Sequence, residues 1–272
     1  MNNEQIKSFF RQTFNLASEG YDKPALRFFR ESAEKTIEIL NPTGNERILD
    51  VATGTGHLAL TLASRFPHAK ITGIDLSDGM LKQARVKQEK QGLRNINFIE
   101  MDMTILDFPD HHFDLVVCGF GIFFIEDMET QLRHMCDKVK RGGKVAILTF
   151  EDSAFMPLWE VFFNHITSFG IDIPTMASKR VCQPEQCIHL FKDAGLKHVQ
   201  CTQVDITYPL QNGNAWWDIV WNGGFRGMVN LLPRDRQDEF QTFHLREIDK
   251  LNTGSGIPLS MPILVTWGRK PE

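Results

Sequence analysis

The chain has no basic excess. Its 272 residues carry 30 Lys and Arg against 34 Asp and Glu, for a net charge of −4, and the cations do not gather into runs. A phosphate-backbone footprint is missing, so nucleic acid is not expected as substrate. Long apolar runs are missing as well. The longest, Leu115 to Ile125, is far short of the ~18 residues that span a membrane, and the opening MNNEQIKSFFRQ is not a charged-then-apolar leader. A protein that neither spans a membrane nor is exported is therefore expected. Cysteine is sparse: the five residues at 118, 136, 182, 187 and 201 form neither a disulfide framework nor a CxxC metal site. A cytoplasmic location and no bound metal follow as expectations. With 42% apolar residues and no linker, repeat or low-complexity tract, the chain reads as a single domain with a full core.

What is present is alternation. From about residue 46 to residue 150 the short apolar runs RILDV, KITGID, INFIEM, FDLVVC and KVAILTF have the length of buried strands. Helical stretches separate them. The clearest covers 127 to 140, where Met128, Leu132, Met135 and Val139 share a face and a Gly-Gly follows as a stop. This pattern predicts an α/β fold with parallel strands and crossover helices. Beyond residue 150 come an aromatic helical segment, a helix at PEQCIHLFKDAG, a strand near HVQCTQVDIT, a Trp-rich stretch, a polar helix over about 233 to 250 and a last strand at PILVTW.

The stretch ILDVATGTGHLA, residues 48 to 59, runs from a strand through a glycine turn into a helix. It meets a loose G-x-G-x-x-A pattern, and Asp75 lies about 20 residues on, where a dinucleotide enzyme keeps a ribose-binding acid. Asp50 argues against a pyrophosphate. Its carboxylate ends the strand just before the turn and would repel a diphosphate, whereas an ammonium or sulfonium would be stabilised there.

Taken in order, DVATGTG, IDLSDGML, IEMDMTILDFPDHHFDLVVCGFG and VKRGGKVAILTF resemble the class I S-adenosylmethionine-dependent methyltransferases, over about residues 44 to 150. Within them the chain is most similar to the ubiquinone/menaquinone C-methyltransferase-like group, through Ala52 in the first motif and Phe120-Gly121 after the fourth strand. It departs from that group at Ile122-Phe123-Phe124, so the resemblance carries the reaction class and not a quinone acceptor. It implies a Rossmann-like, mostly parallel seven-stranded sheet with helices on both faces. An N-terminal helical cover (1–43), a cofactor-binding half (44–150) and insertions at 151–183 and 208–257, before and after the sixth strand, complete a single domain (1–272).

The cofactor implied is S-adenosyl-L-methionine. Asp50 would lie near the methionine amino group, and Gly54 and Gly56 would let the backbone approach it. Asp75 would accept from both ribose hydroxyls with Leu76 against the adenine, and Asp102 would accept from the adenine amine beside Met103. Ala52, Thr53, Met80, Cys118 and Gly119 would border the ligand, and Tyr21 would cover it.

Cofactor motifs do not name the methyl acceptor. The insertions are expected to form a substrate lid over the carboxyl ends of the strands, and they are aromatic. Phe120, Phe123 and Phe124, with Trp159, Trp217, Trp221 and the cation Arg226, are the candidate acceptor pocket, suited to a small apolar or aromatic molecule. The same tryptophans fall at helical spacing and serve equally well as core. Tyr21, His57, His111, His112, His165 and His244, along with Glu126, Asp127 and Glu151 near strand ends, are possible proton acceptors, with none singled out, and the oligomeric state is not encoded. Two other readings share the cofactor loop: a binding or regulatory module without turnover, and an NAD(P)-dependent oxidoreductase, which leaves Asp50 and Asp102 unexplained.

Overall fold

The computed structural model describes residues 3–172 and 177–272; residues 173–176 of the first expected insertion lie outside them. The helices are α1 (Asn3–Ala17), α2 (Phe28–Leu40), α3 (His57–Arg65), α4 (Asp78–Gln91), α5 (Met128–Lys138), α6 (Leu158–Ser168), α7 (Pro184–Asp193), α8 (Gly213–Asn222), α9 (Arg226–Val229) and α10 (Arg234–Asp249). The strands are β1 (Arg47–Val51), β2 (Lys70–Asp75), β3 (Ile96–Glu100), β4 (Phe113–Gly119), β5 (Val139–Phe150), β6 (Lys197–Leu210) and β7 (Ile257–Arg269). They form one seven-stranded sheet in the order β3-β2-β1-β4-β5-β7-β6. Pairing is parallel from β3 through β5, and β7 runs antiparallel to β5. This is the mostly parallel α/β sheet that the alternation indicates.

Continuous apolar strands form here because both faces are covered. Ile48, Leu49 and Val51 of β1 and Val116, Val117 and Cys118 of β4 are fully buried. Local signals set the helix ends: the Ser77 hydroxyl accepts from Met80 N–H to start α4, and Gly92, in the left-handed conformation, ends it.

One boundary differs from expectation. Gly142-Gly143 does not stop α5, because β5 begins at Val139, directly after the helix. The glycines instead serve a bulge. Register with β4 jumps between Phe113↔Val139 and Leu115↔Lys144, Gly142 has φ +73°, and a Cβ on Gly143 would lie 2.8 Å from the Asp114 carbonyl.

The chain packs as two compact units. One comprises Met1–Phe28, Ser153–Met176 and Asp205–Pro262, and the other Phe29–Asp152, Ala177–Val204 and Ile263–Glu272. The first, the aromatic unit, gathers most of the expected N-terminal cover and insertions. Three stretches depart from those boundaries: residues 29–43, 151–152 and 177–183 fall in the sheet unit, and α2 within the first buries Ala33, Ile37 and Leu40. The core of the aromatic unit is built from rings. Trp216, Phe162 and Phe240 are fully buried, with Phe155 and Phe225 nearly so, and Phe225 meets Phe155, Trp159, Phe162 and Trp216 edge to face at 4.7–5.7 Å.

Candidate functional site

The chain leaves β1 for β2 and β3 on one side and returns to β4 on the other, so the strand order reverses between β1 and β4. Ligands bind at such a switch point, beyond the carboxyl ends of the strands. Backbone strain collects there. Ala52, just past β1, has φ +55°, and Phe120, just past β4, has φ +56°; both are left-handed conformations that cost a side-chain-bearing residue roughly 1–2 kcal/mol. The two turns are in close packing, since a Cβ on Gly121 would fall 2.6 Å from the Ala52 methyl.

Between these turns the glycine loop is clasped to β2. Thr53 N–H donates to the Ile74 carbonyl at 2.8 Å, and the two Asp75 carboxylate oxygens accept from Gly54 N–H and Ser77 N–H, each at 2.8 Å. The glycines of the loop differ in purpose. Gly54 has φ +56° and open space where a Cβ would stand, whereas a Cβ on Gly56 would be 3.0 Å from the Phe98 ring. Gly54 thus keeps a cradle open and Gly56 allows α3 to pack on the sheet.

Asp50 lies beneath the loop. It is 2% exposed, accepts from the Thr53 hydroxyl at 2.6 Å, and receives the Ala59 N–H in the first turn of α3. Burial pushes its carboxyl up to about 7, with the Asp75 charge adding to the rise. Burial likewise holds Asp75 up to about 6, against the bonds from Ser77 and Gly54. Two buried carboxyls of raised proton affinity would, when ionised, repel a diphosphate and be relieved by a cation.

The remaining sequence-predicted residues sort by unit. Leu76 and Met103 are half-buried in the sheet unit, while Met80 and Cys118 are buried; burial and Asp50 push the Cys118 thiol well above its ordinary range. Asp102 closes a turn, its Oδ1 accepting from Thr104 N–H and from the Thr104 hydroxyl, both at 2.8 Å. A Cβ on Gly119 would meet nothing nearer than Leu148 at 4.0 Å. Phe120 stacks on Phe150 at 4.5 Å and takes the edge of Phe29 at 5.5 Å; Phe123 lies 5.0 Å from Phe124 and 6.0 Å from Phe150.

Tyr21, Trp159, Trp217, Trp221 and Arg226 belong to the aromatic unit. Tyr21 meets the edge of Phe14, Trp159 stacks on Phe155, and Trp217 stacks on Trp221 at 6.0 Å. Arg226 lies over Trp221 and donates to the Leu16 carbonyl at 2.6 Å. Their described contacts are structural.

Several contributors escape the sequence. Gln131, buried on the apolar face of α5, donates to the Met103 carbonyl at 2.8 Å and holds the turn after β3. A polar residue three positions from Met128 on that face was the available signal. Phe29 and Phe150 carried none, because their meeting with Phe120 depends on packing between distant elements.

The chemistry of the site fits an adenosyl cofactor: an open glycine cradle, carboxylates favouring a cation, and acceptor positions left on Asp75, whose two oxygens offer about four. Comparison with known proteins agrees. A family described as "Methyltransferase domain" matches residues 48–143. Aklanonic acid methyltransferase DauC of Streptomyces sp. (strain C5) is 31% identical over 147 residues, which cover 54% of this chain and 67% of that protein. The chain belongs to the class I S-adenosylmethionine-dependent methyltransferases.

Demethylmenaquinone methyltransferase of Thermus thermophilus is 37% identical to this methyltransferase over 147 residues, covering 53% of the chain and 64% of the relative. The chain thus spans about two thirds of the length of these relatives. In fold it is similar to the YcgJ protein of Bacillus subtilis, with a TM-score of 0.59 and 20% identity, covering 89% of this chain and 99% of that one. Like other members, this methyltransferase takes S-adenosylmethionine as cofactor. Among its described residues no helix is long and apolar enough to cross a membrane.

Proposed function

We propose that this chain transfers the methyl group of S-adenosylmethionine to a small apolar or aromatic molecule by in-line displacement. The observation that carries the reading is the strained junction of Ala52 and Phe120 at the switch point, with the Gly54–Asp75 clasp on one side and the Phe29, Phe120, Phe123 and Phe150 rings on the other, all within the sheet unit. When bound, S-adenosylmethionine supplies a methyl group activated by a positively charged sulfur. Asp75 and the Gly54 backbone would hold the nucleoside end, and Asp50 would balance charge from beneath the loop. The half-buried phenylalanines would align an apolar acceptor and exclude water, which is most of what methyl transfer asks of a protein. The printed names of the relatives give two acceptors, aklanonic acid and demethylmenaquinone, which supports a small-molecule acceptor without fixing its identity.

The test has two arms. Calorimetry should show binding of S-adenosylmethionine and S-adenosylhomocysteine but not NAD(H), and labelled S-adenosylmethionine should pass label to members of a panel of phenols, quinols and enolic acids. Binding without transfer to any small molecule, or transfer mainly to protein or nucleic acid, would overturn the acceptor class. NAD binding without adenosyl binding would overturn the whole reading.

A further inference from the structure

Away from the cofactor loop, the sheet unit contains a cluster of alternating hydroxyl and thiol groups. α7 turns Cys187 inward, fully buried, and β6 presents Cys201, which is half-exposed. The sheet order places β6 beside β7 and β7 beside β5. In the β5–β7 register Ile147 faces Thr266 and Thr149 faces Leu264, so Thr149 and Thr266 point to the same face as diagonal neighbours. The Thr266 hydroxyl donates to Cys201 Sγ at 3.2 Å. Cys187 Sγ lies 3.7 Å from the Thr149 hydroxyl and 3.4 Å from the Val181 carbonyl, and Thr266 is a neighbour of both thiols, which places the two sulfurs in one cluster.

We propose that Cys187 and Cys201 are an oxidisable dithiol, a modification site at which hydrogen peroxide or a hydroperoxide attacks Cys201 and Cys187 then closes a disulfide. The single Cys187 proton turns from the Val181 carbonyl to Cys201 when Cys201 ionises, and Thr266 adds a second donor. The contact with Cys187 and the Thr266 donor hold the Cys201 thiol below its ordinary range against the cost of burial. Cys187 is pushed up by the same contact and by burial, so it stays protonated and carries its proton into the second step. The other three cysteines differ. Burial raises Cys118 and Cys182 and pushes Cys136 up to about 12.

The chemistry balances in two steps. The Cys201 thiolate attacks one peroxide oxygen, the O–O bond breaks, and Cys201 sulfenic acid and hydroxide form. The Cys187 sulfur then attacks the sulfenic sulfur, the S–O bond breaks, and the Cys187 proton leaves with the oxygen as water. Two thiols are oxidised and one peroxide is reduced.

The experiment treats the reduced full chain with hydrogen peroxide at pH 7, then maps it by mass spectrometry without reduction. The expected result is loss of two of the five thiols and a linked pair of peptides containing Cys187 and Cys201. Cys187→Ser should stop at a Cys201 sulfenic acid that dimedone traps, and Cys201→Ser should leave Cys187 reduced. Thr266→Val removes one donor and should slow oxidation by about two- to fivefold, because part of the lost thiolate fraction is recovered as nucleophilicity. Retention of all five thiols, oxidation centred on Cys118, Cys136 or Cys182, or Cys201 oxidation in the wild type without the link would overturn the proposal. The wild-type map decides even if a variant fails to fold.

Discussion

In the sheet unit the perturbed acids at the glycine loop are carboxylates, whereas in the aromatic unit the most strongly perturbed group is an imidazole. Asp50 and Asp75 are held up to about 7 and about 6. His244, fully buried, is pushed down to about 3 by burial and by His165. Hydrogen bonding fixes the protons of the imidazole pair. Trp216 Nε1–H donates to His244 Nε2 at 2.8 Å, so the His244 proton sits on Nδ1 and is donated to His165 Nδ1, 2.9 Å away. A proton added to His165 Nδ1 would set two donors face to face. On α10 the Glu247 carboxylate opposes that cost by raising the His165 imidazole, but burial outweighs it. The lesson is that the sheet unit is poised to receive a positive charge and the aromatic unit to exclude one.

The comparison makes opposite pH dependences, and the largest expected effect is in acid. The folded-state value of His244 is below the unfolded value of 6.5, so the unfolded chain binds more protons and stability falls as pH drops from 6.5 towards 3, by on the order of 4 kcal/mol. Four of the five tryptophans, at 159, 216, 217 and 221, lie in the aromatic unit. Tryptophan emission should therefore shift red between pH 6 and 4 before far-ultraviolet ellipticity falls. His244→Gln keeps an oxygen for Trp216 and removes the titration, so its emission should hold to lower pH. Simultaneous loss of both signals in wild type and variant would break the comparison.

Next in size is the carboxylate side. Asp50 is raised above its ordinary 3.8, so the folded state binds the extra proton and stability falls as pH rises from about 4 through 7, by roughly 4 kcal/mol from this group. Asp50→Asn cannot ionise and retains an oxygen for the Ala59 N–H. Urea titrations at pH 5 and pH 8 should show a smaller difference for the variant than for the wild type; equal differences would remove Asp50 as the cause. A ligand bearing an ammonium or sulfonium should lower both carboxyls and bind more tightly at pH 8 than at pH 6.

Asp75→Ala should weaken S-adenosylhomocysteine binding by roughly ten- to a hundredfold, the worth of charge-assisted bonds at ~1.5–3 kcal/mol. The structure adds a cost to the free protein. Gly54 and Ser77 N–H both donate to this carboxylate, so stability should also fall by about 2 kcal/mol. Asp75→Asn keeps one acceptor oxygen and should be intermediate in stability. Trp221→Phe, in the other unit, should leave binding within about twofold. A binding loss from Trp221→Phe as large as that from Asp75→Ala would erase the division of labour between the units.

What the sequence revealed of this architecture was local in origin. The glycine turn, the acids at strand ends and the strand–helix alternation are encoded within windows of about ten residues, and those features located β1 to β5 and the loop. Contacts between distant elements were illegible. Nothing in INFIEMDMT marks Gln131 as the residue that holds Met103, and nothing near Asp50 shows that its carboxylate meets Ala59 rather than open solvent. Trp217 and Trp221 read equally as pocket or core, because helical spacing reports a buried face without saying what lies against it.

Strain offers the smallest and most discriminating test of the comparison. Each unit holds aromatic or alanyl residues in the left-handed region: Ala52 and Phe120 in the sheet unit, and Phe155, with φ +67°, in the aromatic unit. Phe155 is held by its N–H to the Ser260 carbonyl at 2.9 Å and by the rings of Phe28, Trp159 and Phe225, so packing offsets its strain. Ala52 has one methyl for the same purpose. Ala52→Gly should relieve ~1–2 kcal/mol of left-handed strain and cost ~0.5–1 kcal/mol in unfolded-state entropy, for a net change between zero and about 1.5 kcal/mol of stabilisation. The melting temperature of the free protein should rise by at most a few degrees, with S-adenosylhomocysteine affinity changed by less than about twofold. Destabilisation beyond 1 kcal/mol would show that the Ala52 methyl is held by its contacts as Phe155 is, and that the loop strain, like that of the aromatic unit, belongs to packing rather than to the cofactor site.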